Sequence, residues 1–259
     1  MLCRRKSRFG QRQLSNVNKC WQKQVENHLK FTYNQNMKKY LLPQSWLSFA
    51  YYVRSICLGL LMASLPIGIY WSFWLAPVDV TQGEIYRLIY VHVPAAFLSL
   101  GVYVVMSVLA FVFLTWRLKF CDLVCRSIAP TGWFLCALAL ITGSVWGKST
   151  WGTYWIWDAR LTSQLVLLIF YSIFYLLTKN QGRVSTVAGY VFLLLGLVDV
   201  PIIHYSVNWW NTLHQGTTVF AKHEAIHSTM WYPLMLMILN FVLIVLVLGS
   251  SRFLRLVSK

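Results

Sequence analysis

The sequence predicts an all-α integral membrane protein with six transmembrane helices, and three observations point to that fold class. Of the 259 residues, 58% are hydrophobic and only 12% are charged, which is about half the charged fraction of a soluble domain. The mean hydropathy is +0.55. The apolar residues also fall in long blocks, and each helix that crosses a bilayer core needs about 20 consecutive apolar residues.

Polar breaks divide the apolar blocks into six predicted spans. They lie at about Ser55–Leu75, Leu88–Trp116, Ile128–Val145, Leu161–Leu177, Val184–Ile203 and Trp231–Leu248. The sequence therefore predicts three regions: a basic tail over residues 1–54, a membrane domain over residues 55–250 and a short basic tail over residues 251–259.

The net charge of +16 reflects membrane topology, because the cations are not spread evenly. Of the 23 Lys and Arg, 11 lie in the first 54 residues. If the amino terminus lies inside, 19 cations fall on the inner side and only Arg87, Lys148, Arg160 and Lys222 fall outside. Membrane proteins concentrate Lys and Arg on the inner side. Both termini are therefore predicted to lie inside, and no nucleic-acid partner is expected.

Tryptophan is concentrated on the predicted outer side. Nine of the 13 lie in outer segments or at outer helix ends, namely Trp71, Trp74, Trp146, Trp151, Trp155, Trp157, Trp209, Trp210 and Trp231. An aromatic belt at the headgroup level is the alternative explanation, but a belt occupies both interfaces. The one-sided distribution therefore favours a binding surface, and its densest part is the predicted outer loop at residues 146–160.

This loop has the chemistry to bind a flat, apolar ligand that carries carboxylates. Its indoles and its tyrosine offer apolar faces with polar edges, and Trp155 and Trp157 share one face if the backbone is extended. Arg160 offers a planar donor fork for a carboxylate, with Asp158 nearby to orient it. Haem is such a ligand. The candidate binding residues are Trp146, Trp151, Gly152, Thr153, Tyr154, Trp155, Trp157, Asp158, Arg160 and Arg87. For Arg87 and Arg160, pairing with lipid phosphates is the alternative.

Two histidines lie at the predicted outer ends of spans. His92 is near the start of the second span and His204 is at the end of the fifth. Neutral imidazole is a common ligand of haem iron, and each ring also has the simpler alternative of a hydrogen bond to a neighbouring helix. The string from His223 to His227 spells HExxH, so a zinc hydrolase is a further alternative.

Three stretches of the chain resemble the CcmC family of cytochrome c maturation. The run WGTYWIWDARLTSQLVLL, which begins at Trp151, resembles the tryptophan-rich WWD signature of membrane haem-handling proteins. The residues that follow Trp157 and Asp158 are Ala-Arg-Leu-Thr-Ser, and they resemble the CcmC branch. Residues 86–96 and 197–215 also match its pattern. The resemblance extends from about Ile56 to about Gly216.

The resemblance implies a haem-delivery protein and not an enzyme. In this interpretation haem b is bound non-covalently on the WWD segment, and His92 and His204 are the axial ligands of its iron. The implied partners are the haem chaperone CcmE, the CcmA–CcmB ATP-binding-cassette complex, CcmD and membrane lipids. No GxxxxGK[ST] motif occurs in the chain, so ATP would be used by another subunit. A haem-translocating exporter is the alternative.

The compartment is predicted from the extended basic tail and from the many Phe, Tyr and Asn residues. These features favour the mitochondrial inner membrane, and a bacterial inner membrane is the alternative. The haem site is expected to face the intermembrane space or the periplasm, because the tryptophan-rich segments lie on the side that has few cations.

Overall fold

The computed structural model describes residues 44–179, 182–210, 214 and 227–258, and these are nearly all helical. The α-helices are α1 (Gln44–Tyr70), α2 (Ile89–Trp116), α3 (Lys119–Trp151), α4 (Ala159–Lys179), α5 (Arg183–Leu195), α6 (Asp199–Trp209) and α7 (Ser228–Val257). Three short helices complete them: a π-helical turn Trp71–Leu75 after α1, a 3-10 turn Glu84–Leu88 before α2, and a 3-10 turn Gly196–Val198 between α5 and α6.

Six helical stretches of the described residues are long and apolar enough to cross a membrane. This confirms the predicted fold class and the number of spans. The helices extend beyond the predicted spans: α3, for example, has 33 residues, although the apolar block within it covers only residues 128–145. Hydropathy detects only the part of a helix that is apolar, so the polar turns at both ends of α3 were not predicted.

α3 lies in the middle of the packing and contacts α2, α4 and α7. α7 also packs along α1 and contacts α2, so the first and last spans are neighbours. Between α2, α4 and α5 the core is aromatic, and Tyr103, Tyr171 and Tyr190 are fully buried there. Such close packing fixes where the end of each helix lies, and thereby positions the loops that join them.

Buried polar groups within the spans form hydrogen bonds between helices. Ser64 in α1 donates to Oδ1 of Asn240 in α7 over 2.5 Å. Nε2 of Gln164 in α4 donates to Oγ of Ser99 in α2 over 3.1 Å, and the hydroxyl of Tyr171 donates to the carbonyl of Ser99 over 2.7 Å. A membrane interior offers no water to these groups, so the bonds specify which helices pair.

The structure corrects two expectations about the outer loops. The segment at 146–160 is not a loop throughout, because α3 continues to Trp151 and ends at Gly152, whose φ of 79° places it in the left-handed region. Glycine adopts that conformation without steric cost. The second expectation concerned the fifth span, which is not one continuous helix but is interrupted by the 3-10 turn and continues to Trp209.

Candidate functional site at one end of the helix bundle

His92 lies in the first turn of α2, and its ring packs against α3. Its Nδ1 atom is 3.1 Å from Oγ1 of Thr142. The Thr142 hydroxyl donates its own hydrogen to the carbonyl of Leu138 over 2.7 Å, so it accepts a hydrogen bond from His92. The proton of the neutral ring therefore lies on Nδ1, and Nε2 is the unprotonated nitrogen that can ligate a metal.

Two further residues of α3 shape the surroundings of His92. A Cβ atom at Gly143 would lie 2.9 Å from Cε1 of the imidazole, so only glycine lets the ring approach this closely. The indole of Trp146 meets the His92 ring edge to face, with centroids 5.8 Å apart. Its Nε1 donates to Oε1 of Gln82 over 2.6 Å. Trp146 therefore packs against His92, and the indole N–H of Trp146 already has a hydrogen-bond partner.

The part of the tryptophan segment (residues 146–160) that follows α3 is bonded to the end of that helix. Nζ of Lys148 donates to the carbonyl of Gly152 over 2.8 Å and lies 5.4 Å from the centre of the Tyr154 ring. Oγ1 of Thr153 donates to the carbonyl of Trp155 over 3.2 Å. These contacts hold the backbone after α3 in a compact turn, and the Tyr154 ring remains exposed.

Trp155 and Trp157 lie side by side, as their alternation predicted. Their rings are 5.4 Å apart and nearly perpendicular. Trp157 is 76% exposed. Trp155 is partly buried, and its Nε1 atom is buried without a hydrogen-bond partner among the described residues. A buried donor without an acceptor is rare, and this one can serve an acceptor group on a ligand.

Asp158 connects the tryptophan segment to His214. One of its carboxylate oxygens accepts from the backbone N–H of Leu161 over 2.8 Å and so caps the start of α4. The other lies 2.6 Å from Nδ1 of His214, whose ring also contacts Trp151 at 4.7 Å. Burial lowers the pKa of His214, although the Asp158 carboxylate acts in the opposite direction. The ring is therefore neutral near pH 7, with Nδ1 protonated and Nε2 unprotonated.

Arg160 lies in the first turn of α4, two residues after Asp158. The charges of Arg160 and His214 act on the ring of His92, and Arg160 also interacts with the charge of Asp158. Its guanidinium group forms no hydrogen bond with any residue that the structure describes. A partly buried guanidinium usually pairs with an anion, so this group can bind a carboxylate of a ligand.

Arg87 has a different environment from Arg160. Its Nε donates to the carboxylate of Glu84, and its Nη1 donates to the carbonyl of Ser72 in the π-helical turn over 3.0 Å. These bonds tie the 3-10 turn before α2 to the end of the first span. The structure therefore gives Arg87 a role in positioning that turn and uses two of its donors there.

The two predicted iron ligands, His92 and His204, have different surroundings in the structure. His204 is an exposed residue on α6, and its ring contacts Tyr205 at 4.8 Å. His214, which was not among the predicted site residues, lies beside Asp158 and Trp151. The sequence did contain a signal for it, because His214 falls within the stretch 197–215 that matches the CcmC pattern.

The zinc-hydrolase alternative depends on residues that are mostly outside the described part of the chain. His223 and Glu224 lie there. His227 is described, and its Nδ1 accepts from the backbone N–H of Thr229 at the start of α7. Among the described residues, no group of three or more His, Cys, Asp and Glu is placed to hold a metal ion.

The fold is that of a polytopic membrane protein, and its candidate site is rich in histidine and tryptophan. The profile of the CcmC family, described as heme exporter protein C, matches residues 36–258. The chain therefore belongs to the CcmC family.

Individual relatives are similar over most of their length. Heme exporter protein C of Escherichia coli K12 is 46% identical over 190 residues, which cover 73% of this chain and 77% of that protein. A putative cytochrome c biosynthesis ccmC-like mitochondrial protein of Marchantia polymorpha is 38% identical over 201 residues, covering 78% and 86%. A protein of the same description from Arabidopsis thaliana is 34% identical over 208 residues and covers 80% of each chain.

Proposed function

We propose that this protein binds haem at the tryptophan-rich end of its helix bundle and supplies it for the maturation of c-type cytochromes. The observation that carries the proposal is the contact of His214 with Asp158 and Trp151 in the tryptophan segment, which also holds the buried indole N–H of Trp155 without a hydrogen-bond partner among the described residues. The names of the relatives, heme exporter protein C and cytochrome c biosynthesis ccmC-like protein, support the same function.

The side chains at the site fit haem b in three separate respects. His92 and His214 each have an unprotonated Nε2 in the neutral ring, which suits a ligand of haem iron. Among the described residues, Arg160 has no carboxylate partner other than the nearby Asp158, and a haem propionate is a carboxylate. Nε1 of Trp155 is a buried donor without an acceptor. No covalent attachment is needed, and haem is the cargo of the protein.

We infer that His92 and His214 are the iron ligands, in preference to the pair His92 and His204. His214 is close enough to His92 for the two charges to interact, and Asp158 orients its ring. A carboxylate on the second nitrogen makes an imidazole a more basic ligand. His204 has neither feature, because it is exposed and contacts Tyr205.

Exposed aromatic rings support a role in presenting haem. Trp157 and Tyr154 are 76% and 59% exposed, so one edge of the tryptophan segment is open to another protein. We propose that this edge presents haem to the chaperone CcmE, and that the CcmA–CcmB ATP-binding-cassette complex and CcmD assist its release. The protein contributes orientation of the haem and no catalytic group, since positioning alone accelerates a reaction between bound partners.

We propose that the site faces the intermembrane space of mitochondria, or the periplasm if the source is bacterial. The described cations support this orientation: Arg54, Arg117, Lys119, Arg126, Lys179, Arg252 and Arg255 lie toward the end opposite the site, whereas Arg87, Lys148 and Arg160 lie toward the site. The relatives described as mitochondrial, in Marchantia and Arabidopsis, support a mitochondrial membrane, and the relative in Escherichia coli supports the bacterial alternative.

The experiment is an absorption spectrum of the full chain, purified in detergent after expression with ample haem. The variants His92→Gly, His214→Gly and His204→Gly are compared with the wild-type protein, each with and without added imidazole. We expect the Soret band to weaken in the first two variants and to recover with imidazole, while His204→Gly resembles the wild-type protein. If His204→Gly loses haem and His214→Gly keeps it, the ligand pair is His92 and His204.

Translocation of haem remains the second candidate function, because the relatives carry the name exporter. The one observation inside the bundle that favours it is Asp199, a buried acid whose Oδ2 has no hydrogen-bond partner among the described residues. Proteoliposomes loaded with haem separate the two candidates. Release of haem across the membrane without a second protein would favour export, whereas release only to added CcmE favours delivery.

A further inference from the structure

We propose that this protein binds the headgroup of an acidic phospholipid in a groove between α1 and α7, at the end of the bundle opposite the haem site. The groove encloses about 600 Å³, and ligand pockets commonly have volumes of about 300–1,000 Å³. Arg54 and Arg255 line it, together with the hydroxyl-bearing residues Ser48 and Ser251. Cations and hydroxyl donors in one groove fit a phosphate.

The groove is formed by two helix faces that oppose each other. On α7, Ser251, Leu254 and Arg255 lie three and four residues apart, which places them on one face of the helix. On α1, Leu47, Ser48 and Tyr51 follow the same spacing. Because α1 and α7 pack along each other, both faces contribute to the same groove.

Both arginines keep donors available for a ligand. The guanidinium group of Arg54 lies 5.1 Å from the centre of the Tyr51 ring, a contact that leaves its N–H groups at the edge. Nε of Arg255 donates to the carbonyl of Ser251 over 3.3 Å, which uses one of its five donors. No acidic side chain is among the described residues that line the groove.

Acidic residues are scarce in the sequence that precedes the groove, and none of the described lining residues is acidic. Residues 1–43, which precede α1, contain ten Lys and Arg and only one acid, Glu26. At the surface of a membrane, phospholipid headgroups are the abundant anions, and basic pockets between transmembrane helices bind them on the inner side. An acidic headgroup of the bilayer is therefore the anion that best fits the groove.

Apolar surface next to the groove favours a lipid over free phosphate. Leu47 and Leu254 line the groove itself. Further along α1, the side chains of Leu58 and Met62 are 44% and 69% exposed, and they lie within the membrane-spanning stretch. Acyl chains attached to a headgroup in the groove can lie against this surface, whereas inorganic phosphate gains nothing from it.

The test measures lipid retention by the full chain with native mass spectrometry. The probes are phosphatidylglycerol and phosphatidylcholine with identical dioleoyl chains, and inorganic phosphate as a competitor. The groove variant is Arg54→Gln with Arg255→Gln. Its matched control is Lys119→Gln with Lys179→Gln, which removes two exposed cations from the same end of the bundle. The variant Arg54→Lys with Arg255→Lys retains both charges and tests whether the helices still pair.

We expect one phosphatidylglycerol per chain to be retained in preference to phosphatidylcholine. The groove variant should bind it about tenfold more weakly, because each cation near the surface contributes to the attraction of acidic lipids. The control and the lysine variant should retain most of the preference.

Equal retention by the groove variant and the wild-type protein would overturn the proposal, as would an equal loss in the control. If inorganic phosphate displaces the lipid at comparable concentration, the groove binds phosphate and the lipid assignment is wrong. The haem spectrum is a separate readout, since the groove variant should keep the Soret band of the wild-type protein.

Discussion

The Nδ1 atom of His92 lies 3.1 Å from the hydroxyl oxygen of Thr142, one helix away. Because that hydroxyl donates its hydrogen to the carbonyl of Leu138, it accepts the proton of the imidazole and leaves Nε2 unprotonated. A metal-binding histidine usually has its second nitrogen held in this way. The contact between α2 and α3 therefore leaves Nε2 of His92 available, as the proposed role in haem binding requires.

Thr142→Val should weaken haem binding while the helix bundle remains folded. Valine has nearly the shape of threonine but has no hydroxyl, so the ring loses its fixed tautomer and orientation. Loss of such a supporting bond lowers metal affinity about tenfold. Haem titration followed by the Soret band measures this, and Thr142→Ser should restore most of the affinity. Equal weakening by both variants would show that the methyl group, and not the hydroxyl, matters.

Gly143→Ala should displace His92, because the new methyl group would lie 2.9 Å from the imidazole Cε1. Overpacking of this kind costs about 1–3 kcal/mol, and we expect a lower unfolding temperature together with weaker haem binding. Gly101→Ala is the matched control in α2, since a Cβ atom at Gly101 meets nothing within 4 Å. If the two variants behave alike, close packing at Gly143 does not position the ring.

Asp158→Asn should lower the haem affinity about tenfold, through the loss of the carboxylate that orients His214. The asparagine oxygen can still accept from the N–H of Leu161, so the start of α4 keeps its cap. Circular dichroism should therefore show unchanged helix content while the Soret titration shifts. Asp158→Ala removes both bonds and should also lower the unfolding temperature. Unchanged affinity in Asp158→Asn would contradict a role of its charge.

Arg160→Gln should weaken the binding of haem about tenfold, because a hydrogen bond to a charged partner contributes about 1.5–3 kcal/mol. The same variant should bind haem dimethyl ester as well as the wild-type protein does, since the ester has no propionate charge. Comparing the two ligands separates pairing with a propionate from a general loss of structure. An equal loss for both ligands would assign Arg160 a structural role.

The stability of the haem-free protein should fall on acidification, in part through His214. Burial lowers the pKa of His214 in the folded state below its usual value of 6.5. At pH values between the lowered pKa and 6.5, the unfolded chain therefore binds more protons than the folded one. Stability contributed by the neutral ring is thus present above pH 6.5 and is lost as the pH falls through this window. Thermal unfolding at several pH values should show a smaller loss in His214→Asn than in the wild-type protein.

Hydropathy and the distribution of charge were sufficient to predict six spans, because membrane insertion depends on composition averaged over about 20 residues. Helix ends depend on single residues. The prediction treated Trp146 and Trp151 as loop residues, but α3 continues until Gly152 adopts a left-handed conformation. Gly152 was predicted as a binding residue, and nothing in the local pattern showed that it ends the helix.

The candidate site follows the same division between sequence and structure. The sequence by itself identified residues of the candidate site, namely the tryptophan segment, Asp158, Arg160 and His92. It also identified the family to which the chain belongs. Only the tertiary structure decided which of them meet. His204 and His214 are both histidines near the end of one span, but the turn of α6 exposes the first, while the second lies against Asp158 and Trp151. A sequence pattern specifies chemistry at each position, whereas contacts between distant segments depend on how helices pack.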